Sequence, residues 1–260
     1  MAGHPRQHCR FRAFYRRVIT TVPETGSTNA DLIADIRAGV KYSDGFWLRA
    51  ERQTGGRGRQ GRVWRSPIGN LYCSTVVNLQ NQDHPAATLS LVAGLAVHDL
   101  LRTQLIDGHT RRPNEQRWLK WPNDILINGA KLAGILCERV GETVVVGIGV
   151  NVAEAPEVPD RPTTCIHIVN GRNADTAQRV LESLIDPFRQ RLSQWRNESL
   201  SATIVEWEER AHAIGTPMIV SDDNERIRGA FDGLGSDGSL RIRLEDGELR
   251  SIHAGDISLI

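Results

Sequence analysis

The chain has 260 residues, 40% of them hydrophobic, with 32 cationic and 31 acidic side chains. That is enough apolar material for a sizeable core, and a formal net charge of +1 gives no bulk attraction to nucleic acid or a membrane surface. No apolar run approaches the roughly 20 residues of a spanning helix, the first twenty residues lack the apolar stretch of a secretion signal, and Cys9, Cys73, Cys137 and Cys165 are scattered without a C-x-x-C pair, as expected for reduced thiols in a cytoplasmic protein.

Residues 1–23 carry arginines and no acid, and the first 15 are expected to form a flexible arm. Residues 17–22 (R-V-I-T-T-V) predict a first strand. Ser27, Thr28 and Asn29 are all good helix N-caps, and Thr28-x-x-Asp31 resembles a capping box. The stripe of Leu32, Ile33 and Ile36 then predicts a helix ending near Gly39. Free N–H groups and hydroxyls at such a helix start can also bind a polar ligand; spacing alone does not choose between cap and ligand.

Residues 45–51 predict a strand leading into 51–64, E-R-Q-T-G-G-R-G-R-Q-G-R-V-W, where Gly55, Gly56, Gly58 and Gly61 are interleaved with Arg52, Arg57, Arg59 and Arg62. Guanidinium groups are almost never fully buried unpaired, and each glycine costs roughly 1 kcal/mol in a helix, so this run is expected to be a loop. Its glycines let backbone approach a ligand closely. Its guanidiniums suit phosphate or carboxylate oxygens, and Trp64 can stack on a planar group or close the loop over it.

Residues 70–79 predict another strand, and 88–101 an amphipathic helix with Leu89, Val92, Ala96, Val97 and Leu100 inward and His98 on its exposed side. Residues 107–117 read as a polar loop. In W-L-K-W-P-N-D-I-L-I-N-G-A-K-L-A-G-I-L-C-E (118–138), Pro122 and Asn123 mark a turn, and Asn128-Gly129 is a strong hairpin signal. That hairpin brings Lys120, Asp124 and Lys131 near one another. Residues 143–152 form a nearly all-apolar strand expected at the centre of a sheet, with Asn151 at its mouth. A proline-rich loop (153–165) follows, then a helix capped by Asp175 and interrupted at Pro187, and a helix over 199–211. From about residue 215 only short strands occur (217–221, 225–231, 239–244, 247–252, 256–259), which predicts a small all-β unit, a tiny barrel.

Two glycine motifs fit the 51–64 run by spacing and fail on context. Gly56-x-Gly58-x-x-Gly61 matches a dinucleotide fingerprint, but Pro67 and Gly69 follow where a helix must open. The kinase glycine loop needs a lysine on the next strand, and none lies between Lys41 and Lys120. Lysine is scarce throughout: Lys41, Lys120 and Lys131 are the only three, against 29 arginines among the 32 cations. A lysine here hints at a site that needs a compact ammonium rather than a planar fork.

Together the segments Gly26-Ser27-Thr28-Asn29, Gln53 with Gly56-Arg57-Gly58-Arg59-Gln60-Gly61-Arg62-x-Trp64, Lys120-Trp121-Pro122-Asn123-Asp124, Lys131-Leu132-Ala133-Gly134-Ile135-Leu136 and Gly147-Ile148-Gly149-Val150-Asn151 resemble the biotin protein ligase family, also called biotin–[acetyl-CoA-carboxylase] ligase. The resemblance implies an α+β fold: a mixed β-sheet flanked by helices, like the catalytic core of class II aminoacyl-tRNA synthetases, followed by an SH3-like barrel. It implies a catalytic domain over 1–213 and a C-terminal domain over 214–260. It also implies a reaction in which biotin and ATP, with Mg²⁺, give biotinyl-5′-AMP. A lysine of a biotin carboxyl carrier protein, from acetyl-CoA carboxylase or a related carboxylase, then takes the biotinyl group.

Carried over position by position, Ser27, Thr28, Asn29, Gln53, Gly56, Arg57, Gly58, Arg59 and Lys131 would bind biotin. Arg62, Trp64, Lys120, Asn123 and Asn151 would bind ATP. Lys131, Asp124 and Arg59 would be catalytic, Lys131 bridging the biotin carboxylate and the α-phosphate and Asp124 orienting the incoming lysine or taking its proton. No protein-bound metal is implied. Fewer than thirty residues precede Ser27, too few for the helix-turn-helix domain some family members carry, so a monofunctional ligase without DNA binding is expected. A homodimer is one assembly the resemblance allows. The competing readings are a lipoate–protein ligase, a nucleic-acid-binding regulator using the arginine run, and a sensor that holds biotin without transferring it.

Overall fold

The computed structural model describes residues 19–105, 118–159, 161–170, 175–221 and 225–259. The expected N-terminal arm and the 107–117 loop lie outside them. Seven strands form one mixed sheet in the order β1-β2-β3-β7-β6-β5-β4. They are β1 (Ile19–Thr25), β2 (Trp47–Gln53), β3 (Leu71–Asn78), β4 (Leu119–Lys120), β5 (Asp124–Ile127), β6 (Ala130–Val140) and β7 (Thr143–Val150). β1 and β2 are parallel, because helix α1 (Thr28–Arg37) crosses between them; the other pairs are antiparallel.

The period-2 alternation of side chains sorts the core into two layers. Leu48, Val76 and Val145 pack with Leu32 and Ile33 of α1 on one face. Trp47, Cys73, Val77, Val144, Val146 and Ile148 face the other way. There they meet α2 (Leu89–Leu105), α4 (Ala177–Asn197) and α5 (Leu200–Glu209), while the short α3 (Ile166–Asn170) follows β7. β7 is therefore covered on both sides, as its apolar sequence predicts. Burial raises the Cys73 thiol above its ordinary value and the Cys137 thiol to about 12, which leaves both unreactive.

The β5–β6 hairpin turns at Asn128-Gly129 with φ of 51° and 78°, the left-handed pair that a two-residue turn needs. C-terminal to α5, β8 (Pro217–Ser221), β9 (Arg226–Leu234), β10 (Leu240–Arg243), β11 (Leu249–Ile252) and β12 (Asp256–Leu259) form a second, antiparallel sheet in the order β11-β10-β9-β8-β12. Among the described residues this sheet has two edges, β11 and β12, rather than a closed barrel.

Several local expectations are corrected. β1 runs on through Pro23 to Thr25, which an edge strand tolerates. The cap of α1 is Ser27, whose Oγ accepts from Ala30 N at 3.5 Å. Asp31 does not complete a capping box but accepts from Thr25 Oγ1 at 2.5 Å. Thr176, not Asp175, caps α4. That helix is not interrupted at Pro187: Val180, Leu181, Leu184, Phe188, Leu192 and Trp195 are buried on both sides of the proline, and their packing offsets its cost of about 3 kcal/mol. His98 is buried, not exposed, with its ring 5.0 Å from that of Trp118, because α2 lies between the sheet and two other helices.

Trp195 is fully buried and donates from Nε1 to Thr88 Oγ1 at 2.8 Å. Trp195→Ala is expected to lower the unfolding free energy by about 3–5 kcal/mol in chemical denaturation. A loss below about 1 kcal/mol contradicts this packing.

Candidate active site

On the face covered by α1, β7 carries Gly147 and Gly149 where Val145 would otherwise be followed by two more side chains, and Gly134 of β6 pairs with Gly149. The sheet is bare there, and functional side chains lie on it. A Cβ at Gly147 would overlap Asn29 Oδ1. One at Gly149 would sit 2.7 Å from the Trp64 ring, and one at Gly134 3.0 Å from the same ring and 3.3 Å from Lys131 Nζ.

The 51–64 run folds back over this floor as a short hairpin. Gly58 N donates to Arg62 O at 2.7 Å and Trp64 N to Gly56 O at 2.9 Å. Arg59–Gly61 makes a 3-10 turn with Gln60 and Gly61 at φ of 54° and 70°. Gly56 lies behind the cavity wall, where a Cβ would meet Trp64 O at 2.6 Å and Ser66 Oγ at 2.8 Å.

Hairpin, floor and α1 enclose a cavity of about 450 Å³, within the range of small-molecule sites. Of the expected residues, Ser27, Thr28, Asn29, Gln53, Arg57, Gly58, Arg59, Arg62, Trp64, Asn123, Asp124, Lys131 and Asn151 line it. Gly56 and Lys120 do not. Lys120 pairs with Asp124 in the β4–β5 ladder, and burial pushes its ammonium below the ordinary value against the pull of Asp124 and Asp256.

Much of the cavity's positive charge is already partnered. Lys131 Nζ donates to Asp124 Oδ1 at 2.6 Å and lies 5.3 Å from the centre of the Trp64 ring. Arg59 donates to the Gly255 carbonyl at 3.0 Å. Arg62 reaches both oxygens of Asp256, Nη2 to Oδ1 at 2.8 Å, and Arg161 donates to Asp256 Oδ2 at 2.9 Å. Burial raises the Asp256 carboxyl, and hydrogen bonds from Arg62 and Arg161 outweigh it, bringing it down to about 2. The hairpin is thus tied to Gly255 and to Asp256, the first residue of β12 in the C-terminal sheet.

Asn123 and Asn151 also hold the strands together: Asn123 Nδ2 donates to Ile135 O at 2.6 Å and Asn151 Nδ2 to Thr164 O at 3.1 Å. Two buried polar atoms on the cavity residues lack a protein partner, the Asn151 Oδ1 acceptor and the Trp64 Nε1 donor. A ligand that offers both an N–H or O–H and an acceptor would satisfy them.

Gly147 and Gly149 were not among the expected site residues, although glycine at alternate positions of a strand marks a close approach. Arg161 and Asp256 had none: their meeting with Arg62 joins three distant parts of the chain.

Sheet, cavity and cationic hairpin define a protein built to bind a small polyanionic ligand. Residues 26–152 match the Biotin/lipoate A/B protein ligase family, and residues 213–260 match the Biotin protein ligase C terminal domain. The biotin–[acetyl-CoA-carboxylase] ligase of Paracoccus denitrificans is 34% identical over 229 residues, 84% of this chain and 91% of that one. The enzyme of the same name from Mycobacterium tuberculosis is 40% identical over 184 residues, 70% of this chain and 66% of that one. The biotin protein ligase of Aquifex aeolicus, solved in complex with biotin and ATP, superposes with a TM-score of 0.78 at 29% identity, covering 93% of this chain and 98% of that one. The chain belongs to the biotin protein ligase family.

Asp256 is the hinge of the hairpin's docking. Charge-assisted hydrogen bonds contribute roughly 1.5–3 kcal/mol, so Asp256→Asn should raise the rate of tryptic cleavage within the hairpin about tenfold. The folded-state carboxyl lies below the ordinary value near 3.9, so the wild-type contact should be complete above about pH 4 and weaken only as pH falls towards 2. An unchanged cleavage rate contradicts the latch.

Proposed function

We infer that this protein activates biotin with MgATP as biotinyl-5′-AMP and transfers the biotinyl group to a lysine of a biotin carboxyl carrier protein of acetyl-CoA carboxylase or a related carboxylase. The observation that carries this is the convergence of Arg57, Arg59, Arg62 and Lys131 with Ser27, Thr28 and Gln53 around one cavity. Joining a carboxylate to a triphosphate brings two anions together, and the transition state adds charge at the α-phosphoryl oxygens. Fixed cations stabilise it without a covalent intermediate.

Lys131 is the bridging cation in this reading. Its ammonium is a compact point charge able to contact oxygens of both reactants. Asp124 holds it beside the floor until ligand oxygens compete for it, and Asp124 is then free to orient the incoming lysine or accept its proton. Ser27, Thr28, Asn29, Gln53, Arg57, Gly58 and Arg59 surround biotin, with Gly56 shaping the hairpin. Arg62, Trp64, Asn123 and Asn151 stand on the nucleotide side, with Lys120 behind the lining beside Asp124. Magnesium arrives with the triphosphate as part of the substrate. Among the described residues no three His, Cys, Asp or Glu side chains converge to hold a metal of their own, and Asp124 and Asp256 are carboxylates on the cavity wall.

The catalytic unit extends to about residue 213, and the match of 213–260 to a separate C-terminal family model supports that division. That match also favours biotin over lipoate as the substrate. Buried thiols fit a cytoplasmic location, and among the described residues no helix is long and apolar enough to cross a membrane.

Labelled biotin, MgATP and a biotin carboxyl carrier domain separate the readings. Label on the carrier lysine is expected; label retained on the protein alone means a sensor, and no uptake contradicts both. In the same assay Lys131→Ala should slow adenylation by about 10²–10³, with a smaller effect on transfer from preformed biotinyl-AMP. A change below threefold removes Lys131 from its role.

A further inference from the structure

Behind Thr28 runs a chain of polar groups that ends on a carboxylate. Asn29 Nδ2 donates to Glu138 Oε2 at 2.8 Å and to the Leu136 carbonyl at 3.1 Å. Both partners are pure acceptors, so the amide orientation is fixed: nitrogen towards β6, Oδ1 away from it. Asn29 Oδ1 lies 2.6 Å from Ser74 Oγ, and Ser74 Oγ lies 2.7 Å from Thr28 Oγ1. Asn29, Ser74 and Thr28 are all buried, Ser74 completely.

Counting protons gives this chain a direction. A hydroxyl has one proton to donate. Asn29 Oδ1 has none, so the 2.6 Å contact takes the Ser74 proton. The 2.7 Å contact then needs the Thr28 proton, with Ser74 Oγ accepting. The remaining contact, Thr28 Oγ1 to Gln53 Oε1, is the longest at 3.2 Å, and Gln53 Oε1 already accepts from the Thr28 backbone N–H at 2.9 Å. The Thr28 hydroxyl therefore lines the cavity with lone pairs only.

We propose that Ser74, which does not line the cavity, is a positioning residue: with Asn29 and Glu138 it holds Thr28 as a hydrogen-bond acceptor and so selects a ligand presenting an N–H at that point. The proposal rests on the reading of biotin as substrate. The ureido ring of biotin carries two N–H groups, whereas the dithiolane ring of lipoate carries none and would leave the Thr28 oxygen without a partner. Losing the Ser74 hydroxyl leaves the Thr28 proton only the long 3.2 Å contact to Gln53 Oε1, which a ligand acceptor can displace, so Thr28 can then donate as well as accept.

The test compares biotin with its cyclic-carbonate isostere, in which both ureido N–H groups are replaced by oxygen, by calorimetry on the full chain. Wild type should prefer biotin by more than about tenfold. Ser74→Ala should cut that ratio by about fivefold or more, and in a Thr28→Val background it should cut it no further. A purely structural role for Ser74 weakens both ligands equally and leaves the ratio intact, which overturns the proposal. If Ser74→Ala does not fold, as judged by circular dichroism, Ser74→Cys replaces it with the same expected fall in ratio. Wild type that binds biotin but shows an unchanged ratio in the variant sinks the proposal alone. Wild type that binds no biotin sinks the substrate reading and the proposal with it.

Discussion

The site depends on a patch of sheet that has no side chains. Gly134, Gly147 and Gly149 lie together on the α1-covered face of β6 and β7, and Asn29, Trp64 and Lys131 occupy the space that three Cβ atoms would take. A glycine weakens a strand interior by roughly 0.5–1 kcal/mol relative to alanine. β7 tolerates two because Val144, Val146, Ile148 and Val150 are all buried. The sheet thus acts as a rigid core on one face and a binding floor on the other. The hairpin can lie flat against backbone, which places Arg59 and Arg62 over the cavity, half-buried.

The second constraint is electrostatic. Cations gathered in one cavity repel one another, and Asp124, Asp256 and the Gly255 carbonyl hold Lys131, Arg62, Arg161 and Arg59 in place. These partners occupy the donors that a carboxylate and phosphates would use. Ligand binding is then an exchange of anions around fixed cations, with little reorganisation at the moment of reaction. The exchange also gives the C-terminal unit a part in the site, since Gly255 and Asp256 hold the hairpin.

Local chemistry was legible in the sequence wherever one short stretch decided the outcome. Asn128-Gly129 announced the β5–β6 hairpin, and the run of short strands after residue 215 marked out the C-terminal sheet. Lysine scarcity pointed to Lys120 and Lys131 alike, and of the two only Lys131 lines the cavity. Features set by packing were not legible. Pro187 stays within α4 because both halves of the helix face one core, and His98 is buried because a helix expected to be half exposed is covered on several sides. The Arg62–Asp256–Arg161 cluster spans 194 positions of sequence between its first and last members, and no local pattern encodes it. The C-terminal unit is the all-β sheet its short strands predict, with β11 and β12 at its edges among the described residues.

Gly149→Ala tests the bare floor. One methyl group should displace the Trp64 ring while leaving the strand ladder intact. Biotin-dependent ATP–pyrophosphate exchange is the measurement, with thermal unfolding recorded beside it. Exchange should fall by about tenfold or more with the melting temperature within a few degrees of wild type, since about 1 kcal/mol shifts a domain of 150–250 residues by roughly 2–4 °C. Wild-type exchange in a folded Gly149→Ala protein would contradict the bare floor.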